Sequence, residues 1–282
     1  VVKVLIVGGN GNIGKILLRA LSSANLYSTT RSGGGGTLAL DLNHPERFNY
    51  NFLDDGDFVL MLAANSSPKD CTEKYEEVYK TNFRGTNFFI NKCLVRNANV
   101  LFFSSDNVYA GGNELYDEKS ECVPANSYGK MKLNVEKRFE SHENFKVFRL
   151  SYVLHYDDNF TKFMRSCVKG NKLVSVFQPF VRSSVGIQDL VLAVENLIKN
   201  WDKIDIPIFN ICGVAPTERF EITESYKRNV NSNLRYEIVK PEAGFFDFRQ
   251  EIIKIKSLYF RDLLGRKPCD LDEVYKELKR KN

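Results

Sequence analysis

Histidine is scarce, and the three present (His44, His142, His155) share no motif. A histidine-centred metal site or nucleophilic triad has little to build on. The six cysteines, Cys71, Cys93, Cys122, Cys167, Cys212 and Cys269, form no CxxC pair and no His/Cys cluster at ligand spacing. That usage predicts reduced thiols in a cytoplasmic protein, with no metal. No apolar run nears the roughly 20 residues that a membrane span requires. The opening VVKVLIVGG is too short for a secretory leader and reads as a buried strand. Charge of one sign is not in excess either: 40 Lys and Arg against 35 Asp and Glu leave a net +5. So mild a balance argues against a nucleic-acid partner and fits a small polyanionic ligand.

What is present is an ordinary globular composition, 43% hydrophobic and 27% charged over 282 residues. It excludes a disordered or collagen-like chain and allows one large domain or two modest ones. Short apolar runs at 2–7, 25–30, 37–42, 58–64, 100–105 and 147–153 read as strands. Helical spacing marks 13–21, 72–79 and 82–96 between them. Apolar strands separated by helices predict an α/β fold, a doubly wound parallel sheet of Rossmann type. Beyond residue 155 the pattern loosens into a smaller C-terminal α/β lobe, with a strand at 206–212 and a helix N-capped by Asp189. The expected division is a dinucleotide-binding domain over 1–155, completed by about 185–213, and a substrate lobe from 156–184 and 214–282. The glycine run at 33–36 reads as a flexible surface loop.

Gly8-Gly9-Asn10-Gly11-Asn12-Ile13-Gly14 joins the first strand to the first helix. In a GxxGxxG turn, Gly8 permits the tight bend, Gly11 lets backbone approach a pyrophosphate, and Gly14 lets helix pack on strand. The helix N-terminus at Asn12 and Ile13 then faces the phosphates. NAD-selective sites carry an acid about 20 residues further on. Here the second strand ends in Thr29-Thr30-Arg31-Ser32, with no acid. Arg31 and Ser32 suit a 2′-phosphate, so NADP is expected and NAD is the alternative; a solvated arginine in a turn also fits. Asp41 and Leu42, ending the third run, are placed to flank an adenine.

Tyr128-Gly129-Lys130-Met131-Lys132 is a YxxxK motif on an expected helix, which puts phenol and ammonium on one face. A free tyrosine titrates near pH 10, and moving that to about 7 takes roughly 4 kcal/mol. An adjacent ammonium and a cationic nicotinamide can supply it. Upstream, the strand at 100–105 runs into Phe103-Ser104-Ser105-Asp106-Asn107-Val108-Tyr109.

With these pieces the chain resembles the extended short-chain dehydrogenase/reductase family, in its sugar-nucleotide epimerase/dehydratase branch. The matching segments are GGNGNIG, Asp41-Leu42, LAAN (62–65), KTNFRGTNFF (80–89), FFSSDNVYAG (102–111), SYGKMK, FRLSYVL (148–154), RSSVGIQDLV (182–191) and LLGRKP (263–268). They span nearly the whole chain. The resemblance implies that Ser105 holds the substrate oxygen and Tyr128 transfers the proton. Lys132 would bind the nicotinamide ribose and lower the Tyr128 pKa. Asn82 would support the cofactor loop, or simply start a helix. Ala63 and Ala64 would line the cofactor groove, and Ser151 and Val153 would close the nicotinamide pocket. Arg182 would lie near the substrate or form a structural salt bridge.

Sugar-nucleotide 4,6-dehydratases carry Thr-Asp-Glu where this chain has Ser105-Asp106-Asn107, so their glutamate base is replaced by an amide. Epimerase-reductases similar to GDP-fucose synthase place a cysteine at the Asn107 position. What remains is most similar to dTDP-4-dehydrorhamnose reductase-like enzymes of carbohydrate biosynthesis, with Asp106 and Asn107 near the substrate or Asp106 capping a turn. The resemblance thus implies an NADPH-dependent reductase of a nucleotide-linked 4-keto sugar. An NAD-dependent 4-epimerase is the alternative within enzymes. A non-catalytic NADP-binding redox sensor is the alternative from another class. A homodimer through helices at about 72–96 and 127–141 is also implied, though their apolar residues could instead serve the core.

Overall fold

The structure is a computed structural model and describes residues 2–22 and 25–280. Seven strands form one sheet, in spatial order Ile208–Ile211, Phe145–Leu150, Asn99–Ser105, Phe58–Met61, Val4–Val7, Leu26–Thr30 and Leu38–Ala39. The pairings from Asn99–Ser105 across to Leu38–Ala39 are all parallel. Val4–Val7, Phe58–Met61 and Asn99–Ser105 are buried at every position, as strands covered on both faces must be. This is the expected Rossmann-type α/β sheet. Chain order reverses between Val4–Val7 and Phe58–Met61, and ligands of such sheets bind beyond the strand ends at that reversal.

Local chemistry moves several boundaries. The third strand is only Leu38–Ala39, because Leu40 and Leu42 turn inward, each 6% exposed, to fill the core under the sheet. The helix expected over 72–79 is two, Pro68–Glu73 and Tyr75–Tyr79, and Ser67 caps the first by accepting from the Asp70 N–H. The stretch 82–96 opens as a π-helical turn, Lys80–Gly85, before the regular helix Thr86–Val95. Asp189 is not an N-cap. It lies inside the helix Ile187–Lys199, fully buried, where it accepts from Arg266 at 2.5 Å and from the Cys269 N–H at 2.7 Å. The run at 33–36 is a wound turn: all four glycines have φ between 57° and 89°, and Thr37 closes it through the Gly34 carbonyl.

The chain divides into two compact units. The first comprises Val1–Val108, Cys122–Arg149 and Leu197–Phe209, and holds most of the sheet. The second comprises Tyr109–Glu121, Leu150–Asn196 and Asn210–Asn282. It is built of two-stranded ladders, such as Val174–Phe177 with Tyr236–Val239, and helices including Arg219–Asn229 and Leu271–Arg280. Residues 109–121, 150–155, 185–196 and 210–213 fall in the second unit, whereas sequence patterning assigned them to the dinucleotide-binding part.

Candidate active site

The glycine turn follows Val4–Val7. Gly11 is the N-cap of helix Asn12–Ala20 and is exposed, with no side chain capping the first turn. A Cβ on Gly14 would overlap the Gly8 carbonyl oxygen, whereas one on Gly11 would meet only that oxygen, at 3.3 Å. The turn is therefore closed against its own strand and open outward. An uncapped helix N-terminus with exposed backbone N–H groups fits a pyrophosphate. Arg31 and Ser32 are exposed at the end of Leu26–Thr30, and Arg31 makes no ion pair among the described residues. Leu42 belongs to the core, and Asp41 Oδ1 accepts from the Asn43 N–H at 2.9 Å, closing a turn. Leu42 itself is 6% exposed.

Across the reversal point, the N–H groups of Leu62 and Ala63 donate to the Val7 carbonyl at 3.1 and 2.9 Å, which sets the loop after Phe58–Met61 against the glycine turn. Asn82 holds the next residues by both ends of its amide. Its Oδ1 accepts from the Asn65 N–H and its Nδ2 donates to the Asn65 carbonyl, each at 2.8 Å. Asn82 is 3% exposed and lies in the π-helical turn. Ala63, Ala64 and Asn82 are thereby one construction rather than three separate positions.

Ser104 and Ser105 end the buried strand Asn99–Ser105, and buried hydroxyls need partners. Ser104 Oγ donates to Glu136, and Glu136 Oε2 accepts from Arg149 Nε at 3.0 Å and Nη2 at 2.7 Å. Ser105 Oγ donates to Asp106 Oδ1 at 3.2 Å and accepts from Asn107, from its N–H at 3.2 Å and its Nδ2 at 3.0 Å. Tyr128 and Lys132 lie on helix Ser127–Phe139, whose N-cap Asn126 accepts from the Gly129 N–H at 2.8 Å. The buried face of that helix carries Lys132 and Glu136 alongside Met131 and Val135.

Lys132 Nζ donates to the Phe103 carbonyl at 2.7 Å and lies 5.8 Å from the Tyr128 ring centre. One ammonium thus joins the strand bearing Ser105 to the face of Tyr128. Burial lowers the Lys132 pKa to about 8, against Glu136 and Cys71, which raise it. In the chain alone the Tyr128 phenol is pushed above its ordinary value by burial, and further by Cys71 and Asp106. Burial, the largest cause, runs opposite to the lowering expected from Lys132. The Tyr128 hydroxyl makes no hydrogen bond to another described residue and is left protonated at neutral pH.

The second unit holds the remaining expected residues. The Ser151 N–H donates to the Ile211 carbonyl at 3.1 Å, and Val153 pairs with Val185. Arg182 is held in part by main-chain oxygens. Its guanidinium donates to the carbonyls of Val181, Gln250 and Glu251 at 2.6, 2.7 and 3.1 Å. Sequence reasoning passed over Asn65, Asn126, Glu136 and Arg149. Only Asn126 had a readable signal, as an amide immediately before the helix that carries the tyrosine. Among the described residues no helix is long and apolar enough to cross a membrane, and no cluster of three His, Cys, Asp or Glu could hold a metal.

Comparison with known proteins bears on the fold and the family. The model of the RmlD substrate binding domain matches residues 2–243. The structure is similar to a dTDP-4-dehydrorhamnose reductase from Bacillus anthracis solved with NADP, at TM-score 0.84 and 21% identity over 100% of both chains. It is also similar to a hypothetical dTDP-4-dehydrorhamnose reductase from Sulfolobus tokodaii, at TM-score 0.80 and 23% identity, covering 96% of this chain and 98% of that one. A UDP-glucose 4-epimerase of Halalkalibacterium halodurans is 28% identical over 163 residues, 53% of this chain and 48% of the epimerase. That match therefore spans about half the length of the curated relative. A family model covering so much of the chain decides the matter: this protein belongs to the RmlD substrate-binding domain family, within the extended short-chain dehydrogenase/reductases.

Proposed function

We propose that the protein is an NADPH-dependent reductase of a nucleotide-linked 4-keto sugar. The carrying observation is the Lys132 ammonium, bonded to the strand that ends in Ser105 and lying against the Tyr128 ring. The nicotinamide dinucleotide, when bound, supplies hydride to the keto carbon. Ser105 donates a hydrogen bond to the keto oxygen, and Tyr128 gives that oxygen its proton, so a C=O gains H⁻ and H⁺ and becomes an alcohol. Tyr128 is then reprotonated from solvent. Proton transfer by a positioned acid is worth ~10²–10⁴-fold. A phenol held protonated by burial suits a donor. Lys132 holds the ribose hydroxyls, and Gly8, Gly11, Gly14, Asn12 and Ile13 cradle the pyrophosphate. Ser32 and Arg31 meet the 2′-phosphate. Asn107 in place of a glutamate removes the base that elimination would need.

The partial match to a UDP-glucose 4-epimerase favours a second reading, an NAD-dependent 4-epimerase with the same three residues. Retention of Ser105, Tyr128 and Lys132 together speaks against a non-catalytic redox sensor. The six cysteines form no disulfide among the described residues, which fits a cytoplasmic location. A homodimer is supported by Tyr75 and Phe88, 40% and 39% exposed on the helices expected to pair, and sedimentation at micromolar concentration tests it. The test of activity is NADPH oxidation against a panel of nucleotide-linked 4-keto sugars beginning with dTDP-4-dehydrorhamnose. Turnover of at least one is expected. Failure on the whole panel, with interconversion of UDP-glucose and UDP-galactose, sinks the reductase in favour of the epimerase.

A further inference from the structure

Asn107 stands where related chemistries place an acid or a thiol, and its side chain is fully engaged within the chain. Its Oδ1 accepts from Asn126 Nδ2 at 2.8 Å. Its Nδ2 donates to Ser105 Oγ and Asp106 Oδ1, each at 3.0 Å. Its own carbonyl oxygen occupies the space that a Cβ on Gly129 would take, so the turn at Asn107 and the start of the Tyr128 helix lie in direct contact.

The direction of every bond in this series is forced from one end. The Gly129 N–H can only donate, so the Asn126 atom facing it is the carbonyl oxygen. Asn126 must then present its NH₂ to Asn107, which can accept only through Oδ1. That leaves the Asn107 NH₂ facing Ser105. The Asn107 N–H reaches the same hydroxyl at 3.2 Å, so two donors fill the two acceptor sites of Ser105 Oγ. The Ser105 hydroxyl is left able only to donate. In the chain alone it donates to Asp106 Oδ1 at 3.2 Å, longer than the ~2.7–2.8 Å typical of a hydroxyl donor, so a ligand oxygen can compete for it.

We propose that Asn107 is a positioning residue: it transmits the polarity of the helix cap at Asn126 to Ser105 and makes that hydroxyl an obligate donor, selecting a substrate oxygen that accepts. This deepens the proposed function and rests on Ser105 meeting the substrate oxygen. A catalytic base is not what this position supplies.

Asn107→Asp and Asn107→Ala separate the two ends of the relay. An aspartate still accepts from Asn126 but has no proton to give Ser105 at neutral pH; an alanine does neither. The first readout needs no substrate. In the free protein the Asn107 side-chain amide resonances, identified by their loss in Asn107→Asp, are expected to shift in both Ser105→Ala and Asn126→Asp. Hydrogen exchange of the Gly129 amide is expected to stay slow in Asn107→Asp and to quicken in Asn107→Ala. An Asn107 amide insensitive to either neighbour overturns the relay. So does equal loss of Gly129 protection in both Asn107 variants.

The second readout uses NADPH and dTDP-4-dehydrorhamnose. Asn107→Asp is expected to lower kcat about 10-fold or more, with NADPH affinity unchanged and activity partly recovered at acid pH as the new carboxyl regains a proton. In a Ser105→Ala background the same change is expected to cost less than about twofold, because its effect runs through Ser105. An undiminished loss in that background, or wild-type turnover in Asn107→Asp, overturns the positioning role. An inactive wild-type protein counts against the reductase reading, while the free-protein readouts still decide the relay.

Discussion

Lys132 Nζ lies 2.7 Å from the carbonyl oxygen of Phe103, two residues before Ser105, and its ammonium is desolvated there to a pKa of about 8. Its charge is thus at the edge of the neutral range. NADPH-dependent kcat/KM is expected to fall above about pH 8 as Lys132 loses its proton, since this parameter reports the free enzyme. Lys132→Met is expected to weaken both cofactor binding and turnover, and to remove the alkaline fall.

The same shift has a consequence for stability. Between about pH 8 and the ordinary lysine value near 10.4, the unfolded chain holds a proton on Lys132 that the folded chain does not. Stability therefore rises with pH through that window from this group. Urea titrations at pH 7.5 and pH 10 are expected to show wild type gaining relative to Lys132→Met. A gap that stays constant would contradict the lowered pKa.

Tyr128→Phe removes the phenolic proton and little else, because the hydroxyl has no hydrogen-bonding partner among the described residues. Turnover is expected to drop by about 10² or more with NADPH affinity preserved. Fluorescence titration with NADPH and steady-state rates separate the two. Near-normal rates would mean that another group is the acid.

Arg31→Asp is expected to reverse or erase a preference for NADPH over NADH, by setting a carboxylate against the 2′-phosphate. Dissociation constants for both cofactors check this. Equal or tighter NADH binding by the unaltered protein would refute it.

Glu136 and Arg149 form a buried pair, 1% and 4% exposed, with Ser104 on the other carboxylate oxygen. Breaking such a pair leaves an uncompensated charge, at about 3–5 kcal/mol. Glu136→Gln is expected to lose stability in that range by urea denaturation. Replacing both, Glu136→Met with Arg149→Leu, is expected to cost less than the single change.

The sheet was legible because its strands are apolar on both faces, as Phe58–Met61 shows, and the glycine turn because it follows such a strand. Tyr128 and Lys132 were singled out by their spacing together with the resemblance that the neighbouring segments carry. Asn82 was placed by resemblance, but its π-helical turn was not readable, since one inserted residue per turn leaves no periodic trace. The core packing of Leu42 was not readable, because an apolar residue at a strand end serves core or ligand equally well. Asp189 misled because its partner, Arg266, lies 77 positions away. Arg182 could not be read because main-chain carbonyls, its partners, have no sequence signature.

The glycine turn beside Arg31 bears on handedness. At Gly34, Gly35 and Gly36 the backbone occupies the region favoured by mirror-image amino acids, and no atom lies within 4 Å of where a Cβ would stand. An L-alanine there is strained despite the open space, whereas a D-alanine is not. On backbone conformation, a semisynthetic chain with D-alanine at position 35 would lose part of its unfolded-state freedom without that strain, a gain of about 0.4–1 kcal/mol by the reasoning that governs compatible glycine replacements. The L-alanine counterpart would lose stability at the same position, so this stretch discriminates between two side chains identical in composition and volume.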